Sequence, residues 1–266
     1  MTIQLTYPEG CALVAGGTGS VGAGVTRQLA KAGLPVTFTY CGNQAKAAAL
    51  EKELTDAGLK VFACRMDMSD PASIDAAIKR AIDNGGRLHT VACATGAPVP
   101  FNNIADFEIA EVEKFFDTDA MSYYRLFHQV VPVLRASGGG SITATTTIAT
   151  RRVIAFDGIS PFSKGAVEAL LRQLAAEEAP YGIRCNAVPI GWITDLTSDA
   201  MLQWTASLAS PQRERLTTLL NQLNDIIRLE RPGRPEEAGN LFAYLASDQA
   251  SFITGQSIAI DGGATL

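Results

Sequence analysis

Short apolar runs alternate with longer stretches of helical spacing along almost the whole chain, and this rhythm constrains the fold more than any other feature. "CALVAG" (11–16), "PVTFTY" (35–40), "KVFACR" (60–65), "HTVACA" (89–94), "SITATT" (141–146), "IRCNAV" (183–188) and "SIAI" (257–260) each suit a strand. Between most of them lie helix-sized segments such as "QAKAAALEKELTDAG" (44–58) and "DPASIDAAIKRAIDNGG" (70–86). Asp70 followed by Pro71 reads as an N-cap and a first-turn proline, and Gly58 and Gly85 as helix stops. Strands this apolar, separated by helices, imply a parallel sheet covered on both faces. The expectation is α/β: a single Rossmann-type, doubly wound parallel sheet of about seven strands with helices on both faces. No linker or repeat divides residues 1–266, so one domain is expected.

One stretch breaks the rhythm. Residues 190–230 include "SDAMLQWTASLASPQRERLTTLLNQLNDIIRLE" (198–230), helical in pattern but without a strand of its own. An insertion after the carboxyl end of a strand lies where doubly wound sheets bind ligand. It reads as a substrate lid, with a plain surface helical hairpin as the other reading.

Composition excludes several classes. The chain is 47% hydrophobic and 18% charged with a net charge of −5, which argues against disorder and against nucleic-acid binding. No apolar run reaches the roughly 18 residues of a membrane span. The five cysteines are scattered without CxxC spacing, pointing to a reducing cytoplasm rather than a disulfide framework. His89 and His128 lack metal-ligand spacing, so no metal is expected.

"ALVAGGTGSVGAG" (12–24) leaves the first strand and enters a helix near Ser20. Gly16 and Gly22 bracket a turn whose amides can approach a pyrophosphate, helped by the positive end of the following helix. In this strand–turn–helix setting, dinucleotide binding is expected. A site preferring NAD has an acid about 20 residues further on, bonding the ribose hydroxyls. Here "TYCGNQAK" (39–46) carries none before Glu51, so NADP(H) is favoured over NAD(H), with Tyr40, Asn43 and Lys46 at hand.

At this point the chain resembles the short-chain dehydrogenase/reductase family over nearly its full length. The family's TGxxxGxG pattern is similar to the run from Ala15 to Gly22, including Thr18, Ser20 and Val21. The resemblance assigns Asp67 and Met68 to the adenine side, and Lys164 to the lysine of the YxxxK motif. "IRCNAVPIGWIT" (183–194) and "ITGQSIAIDGG" (253–263) resemble two further family passages. On this basis the cofactor residues also include Cys93, Thr95 and Gly96, Ile190, Ile193 and Thr194, and Lys164 itself. The helix 108–136, with Val112, Phe115, Phe116, Phe127, Val130 and Val131 on its apolar stripe, implies a homo-oligomer, in the family a homotetramer.

The departures gather where the chemistry is expected. Ser160 stands at the place of the family's tyrosine, Thr147 at that of its serine, and Asp119 at that of its asparagine. A phenol titrates near pH ~10 and a neighbouring ammonium can lower that. An aliphatic hydroxyl begins much nearer to water, whose pKa is about 15.7, so Ser160 is no direct substitute as a proton donor. Lys164, Thr147, Ser160 and Asp119 are therefore candidate catalytic residues of an altered relay. Arg152, Asp157, Trp192, Met201 and Trp204 are candidate substrate-pocket residues for a small-molecule substrate. Three readings stay open. The first is a reductase in which Lys164 serves the cofactor and another group, Asp157, Asp119 or water, supplies the proton. The others are a cofactor-binding sensor without turnover, and a non-redox lyase, isomerase or cyclase on the same fold. The first is preferred, because the cofactor elements are kept better than the relay.

Overall fold

The structure, a computed structural model, describes residues 4–266. Six parallel strands form one sheet: β1 (Cys11–Ala15), β2 (Val36–Tyr40), β3 (Val61–Arg65), β4 (Leu88–Cys93), β5 (Gly140–Thr147) and β6 (Ile183–Ile190). Their order across the sheet is β3-β2-β1-β4-β5-β6. The order reverses between β1 and β4, and a crevice at such a switch point is where this architecture binds its ligand.

Alternation along each strand builds two cores. From β1, Cys11, Leu13 and Ala15 point to one face, with Leu88, Val91 and Cys93 of β4, under α3 (Pro71–Gly85), α5 (Ser122–Ala136) and α6 (Ile159–Glu178). Ala12 and Val14 point to the other, under α1 (Ser20–Lys31), α2 (Gln44–Asp56) and α9 (Pro235–Ala246). Among the described residues, no helix is long and apolar enough to cross a membrane.

Three expectations change. The sheet has six strands, not about seven. The segment 257–260 does lie parallel to β6, but it makes only isolated bridges, Ala187 with Ser257 and Ile190 with Ile260. Between them Ile258 N–H donates to Ala187 O (3.0 Å) and Ile260 N–H to Pro189 O (3.0 Å). Pro189 has no N–H to give back, so the ladder is interrupted at its middle rung. The stop after α3 is Gly86, at φ +78°, rather than Gly85, which is the last helical residue. The long helix 108–136 is also broken: α4 (Ile109–Phe116) is joined to α5 by a π-helical turn, Asp117–Met121. Such a wide turn adds a residue and rotates the next helix about its axis. The residue inside this one is Asp119.

The insertion folds as α7 (Ser198–Ser207) and α8 (Ser210–Ile226). α8 buries Leu216, Leu219, Leu223 and Ile226 against Ile148, Ile154 and Ile227, with Trp192 and Phe101 alongside. It also holds the loop after β5, since Ala155 N–H donates to Gln222 Oε1 (2.7 Å) and Gln222 Nε2 to Val153 O (2.9 Å). α8 is thus a packed wall rather than a loose flap. On α7, Met201 is half-buried and Trp204 exposed.

Candidate active site

At the C-terminal ends of β1 to β4 lies a cleft of about 530 Å³. Gly16, Thr18, Tyr40, Asn43, Asp67, Met68, Thr95 and Gly96 line it together with Asp117 and Arg125. At two glycines of the loop there is room for nothing larger than hydrogen. A Cβ on Gly22 would sit 2.0 Å from Gly16 O, and one on Gly16, at φ +78°, 2.7 Å from Thr95 Cγ2. Ser20 opens α1 with a buried hydroxyl that has no protein partner, and the first turn of α1 carries no acid. Backbone approach, an unspent hydroxyl and a helix N-terminus without a carboxylate fit the diphosphate of a dinucleotide.

At the end of β2, Asn43 caps α2 by accepting from Lys46 N–H (2.9 Å), and no carboxylate lies between Tyr40 and Glu51. Arg125 is held by Asp117. Other residues expected at the cofactor stand elsewhere. Cys93 is fully buried, its thiol pushed up to about 11 by burial and contacting Thr95 Oγ1 (3.6 Å). Ile190 packs on the core, while Ile193 and Thr194 continue from β6 beside Gly233, to which Thr194 N–H donates (3.0 Å). Thr194 lines a separate cleft of about 480 Å³ with Arg231 and Arg234.

The expected catalytic residues fall into two clusters on α6. In the first, Lys164 is buried, and its ammonium donates to Asp119 Oδ1 (2.9 Å), Tyr123 Oη (2.9 Å) and Thr95 O (3.3 Å). A lysine has three N–H donors, and all three are engaged. Asp119 is equally committed: Ser163 Oγ donates to its Oδ2 (2.6 Å) and Ala97 N–H to its Oδ1 (3.2 Å). Tyr123 donates to Thr95 O (2.5 Å) and lies 3.0 Å from Thr145 Oγ1. Burial pushes the Tyr123 phenol up to about 12, so it stays neutral. Burial alone would lower Lys164, but Tyr123 and Asp119 outweigh it and hold its pKa above the ordinary value.

The second cluster is half-open. Ser160 sits in the first turn of α6, and its hydroxyl donates to Asp157 Oδ1 (2.5 Å), not to anything on Lys164. Asp157 is partly exposed. Burial of its carboxyl raises the pKa to about 6, against the hydrogen bonds from Ser160 and with a smaller push from Asp119. The residue before it, Phe156, is held at φ +62°. For a bulky side chain the left-handed region is strained. The strain is sustained by Asn102 N–H donating to Phe156 O (2.9 Å) and by the Gln222 clasp on the same loop. Thr147 ends β5, its Oγ1 accepting from Ala149 N–H (3.2 Å).

Arg152 turns away from both clusters and donates to Ala264 O (2.8 Å) and Leu266 O (3.1 Å). Trp192 packs beside α8. The residues that sequence reasoning overlooked are Tyr123, Ser163 and Gln222. Tyr123 follows Asp119 by four positions and Ser163 adjoins Lys164, so helical spacing offered a signal for Tyr123. Nothing local marks Gln222.

A sheet reversing at β1/β4, with a glycine loop that only a backbone can line, defines a dinucleotide-binding α/β protein. The comparisons with known proteins narrow this. The family profile described as enoyl-(acyl carrier protein) reductase matches residues 15–265. Oxidoreductase UcpA of Escherichia coli O157:H7 is 29% identical over 257 residues, covering 96% of this chain and 94% of that protein. The 3-oxoacyl-[acyl-carrier-protein] reductase FabG of Staphylococcus aureus (strain Mu50) is 28% identical over 255 residues, covering 95% and 96%. A short-chain type dehydrogenase/reductase from Mycobacterium ulcerans superposes with a TM-score of 0.85 at 25% identity, covering 98% of this chain and 91% of the other. The chain belongs to the short-chain dehydrogenase/reductase family, and it is an oxidoreductase of that type whose family implies an NAD(P)(H) cofactor.

Proposed function

We propose that this protein is an NADP(H)-preferring reductase of a small-molecule carbonyl, running in reverse as an alcohol dehydrogenase, with Asp157 as its proton donor and acceptor. The observation that carries the reading is the bond from Ser160 to Asp157 (2.5 Å): a carboxyl of pKa about 6 adjoins the residue that stands where the family resemblance leads one to look for a tyrosine. An acid that titrates near the working pH is the efficient kind of donor.

When bound, the nicotinamide supplies a hydride to the carbonyl carbon, or takes one from the alcohol. In reduction, protonated Asp157 gives its proton to the carbonyl oxygen as the C=O π bond becomes a C–H and an O–H bond. Asp157 is left as a carboxylate and is reprotonated from solvent; oxidation reverses each transfer. Ser160 orients the carboxyl, and the Thr147 hydroxyl is free to donate to the substrate oxygen. Lys164, with its donors engaged, works as a positioning residue that keeps Asp119, Tyr123 and the Thr95 backbone in register beside the cofactor cleft. Gly16, Gly22 and Ser20 hold the diphosphate. The absence of a carboxylate between Tyr40 and Glu51 supports NADP(H), since nothing in that stretch repels a 2′-phosphate. Exposed Ile109, Tyr124 and Phe162 on α4, α5 and α6 favour a homo-oligomer, a tetramer by the family resemblance. Five free cysteines fit a reducing, cytoplasmic setting.

The test is NADPH oxidation over a panel of carbonyl substrates from pH 5 to 8. Reduction falls as pH rises through about 6, because the protonated carboxyl is the active form, and alcohol oxidation rises over the same range. Asp157→Asn lowers kcat by about 10²–10⁴-fold with the Kd for NADPH unchanged. An Asp157→Asn enzyme with wild-type kcat and the same pH profile overturns the proposal. NADPH binding without oxidation of any panel member favours a sensor instead. Fluorescence titration should show tighter binding of NADPH than of NADH.

A further inference from the structure

The far end of the sheet, opposite the cofactor cleft, holds a further cavity of about 340 Å³. Parallel strands present all their N-terminal ends on one side, and three neighbours contribute here: His89 from β4, Ser141 from β5 and Arg184 from β6. Arg87, one residue before β4, joins them, with Thr254 across the opening.

What distinguishes this cavity is its stock of unspent donors. Arg87 gives one bond, from Nη2 to Gly139 O (3.0 Å), and its buried Nε has no partner. Arg184 reaches Ile253 O at 3.3 Å and Ser247 O at 3.4 Å, both at the long limit for a hydrogen bond. His89 is 1% exposed; its Nδ1 is met by the Thr90 hydroxyl (2.9 Å), and its Nε2 is unpartnered. The Ser141 hydroxyl, in a residue 2% exposed, is also unpartnered. Unsatisfied buried polar groups are few in native proteins and each needs a reason. Here three of them, on Arg87, His89 and Ser141, belong to residues that line one cavity.

The charged groups leave a positive excess. The cavity carries two guanidinium groups against a single carboxylate, that of Asp248, which is exposed. Burial, reinforced by Arg87 and opposed by Asp248, pushes His89 down to about 4, so it adds a neutral imidazole rather than a further charge; with Thr90 donating to Nδ1, its Nε2 carries the proton. Two forked cations with a hydroxyl and an imidazole between them match a ligand made of acceptors alone. Guanidinium groups prefer carboxylate and phosphate oxygens because the planar fork meets two of them at once. A neutral amide or sugar would leave the excess charge uncompensated.

We propose that the N-terminal end of β4, β5 and β6 is a binding site for a small oxyanion, phosphate or carboxylate, held by Arg87 and Arg184 with His89 and Ser141 as neutral donors. The site is independent of the cofactor cleft, which opens at the opposite ends of the strands. It does not depend on the proposed chemistry at Asp157.

Calorimetric titration of the full chain with inorganic phosphate, and separately with citrate, tests this. NADPH is kept saturating so that the cofactor cleft is filled. Saturable binding of either anion is expected; phosphate alone assigns the site to phosphoryl ligands, and both to oxyanions generally. Arg184→Gln and Arg87→Gln should each weaken that binding at least about tenfold, as loss of a charged hydrogen bond does, while the Kd for NADPH stays at its wild-type value. Should an arginine variant misfold, Ser141→Val serves, since it removes one donor and adds no charge. The proposal is overturned if neither anion binds to the NADPH-saturated protein, or if all three variants bind it like the wild type.

Discussion

Asp119 and Asp157 are both carboxyls packed against the first turns of α6, and they are held in opposite ways. Asp119 is buried with Lys164, Ser163 and the Ala97 amide on its oxygens, so its charge is matched and its neighbours are spent. Asp157 has one side-chain partner, Ser160, a strained Phe156 behind it and partial exposure in front, with a pKa near 6. The contrast teaches which group can do chemistry. The oxygens of Asp119 are taken by an ammonium, a hydroxyl and an amide inside the core, which leaves none to face a substrate. The carboxyl of Asp157 is desolvated, has no cation beside it and keeps an open side.

The comparison can be broken at either end. Beyond the kinetic loss expected of Asp157→Asn, the largest effect belongs to the closed cluster. Lys164→Met strands the Asp119 carboxylate and should lower the unfolding free energy by about 3–5 kcal/mol, read from urea melts. Adding Asp119→Asn to it should recover a large part of that loss, because the stranded charge is then gone. If the single variant is as stable as wild type, Lys164 does not tie this cluster together.

Next comes a pH-dependent gain. The folded pKa of Asp157 lies above its unfolded value near ~3.9, so the folded state binds the extra proton. Its stability then falls as pH rises between about 4 and 6. Asp157→Asn removes this penalty, raising stability at pH 8 by at most about 3 kcal/mol and leaving it nearly unchanged at pH 4. Thermal melts at the two pH values decide it; an equal shift at both would mean that burial of the carboxylate is not the cause. Tyr123→Phe is the smallest change. It leaves one Lys164 N–H without its acceptor, for a loss of about 1–3 kcal/mol, and should lower kcat less than Asp157→Asn does. A larger kinetic than thermodynamic effect would move Tyr123 from positioning into the chemistry itself.

Much of the fold could be read before any coordinate. The six strands, the helices α1, α2 and α3, and the glycine turn are encoded by short-range patterns: apolar runs, an Asp-Pro cap, glycines where a side chain has no room. The seventh strand misled because its pairing depends on the donor missing from Pro189 of a distant partner, which an apolar run such as "SIAI" does not reveal. The site was legible in identity but not in connection. Lys164, Asp119, Ser160 and Asp157 could all be named in advance, whereas Arg152 engages the chain terminus and Thr194 a different cleft.

From its residues alone, this chain already specified a parallel α/β sheet and a backbone cradle for a diphosphate, because both rest on periodicity and on the size of hydrogen against methyl at a few turns. Only the tertiary structure decided the partners of Lys164. A π-helical turn carries Asp119 to the ammonium, and Tyr123 comes one turn later. With three donors and three acceptors in contact, the lysine is taken, and the proton chemistry passes to the carboxyl that Ser160 holds.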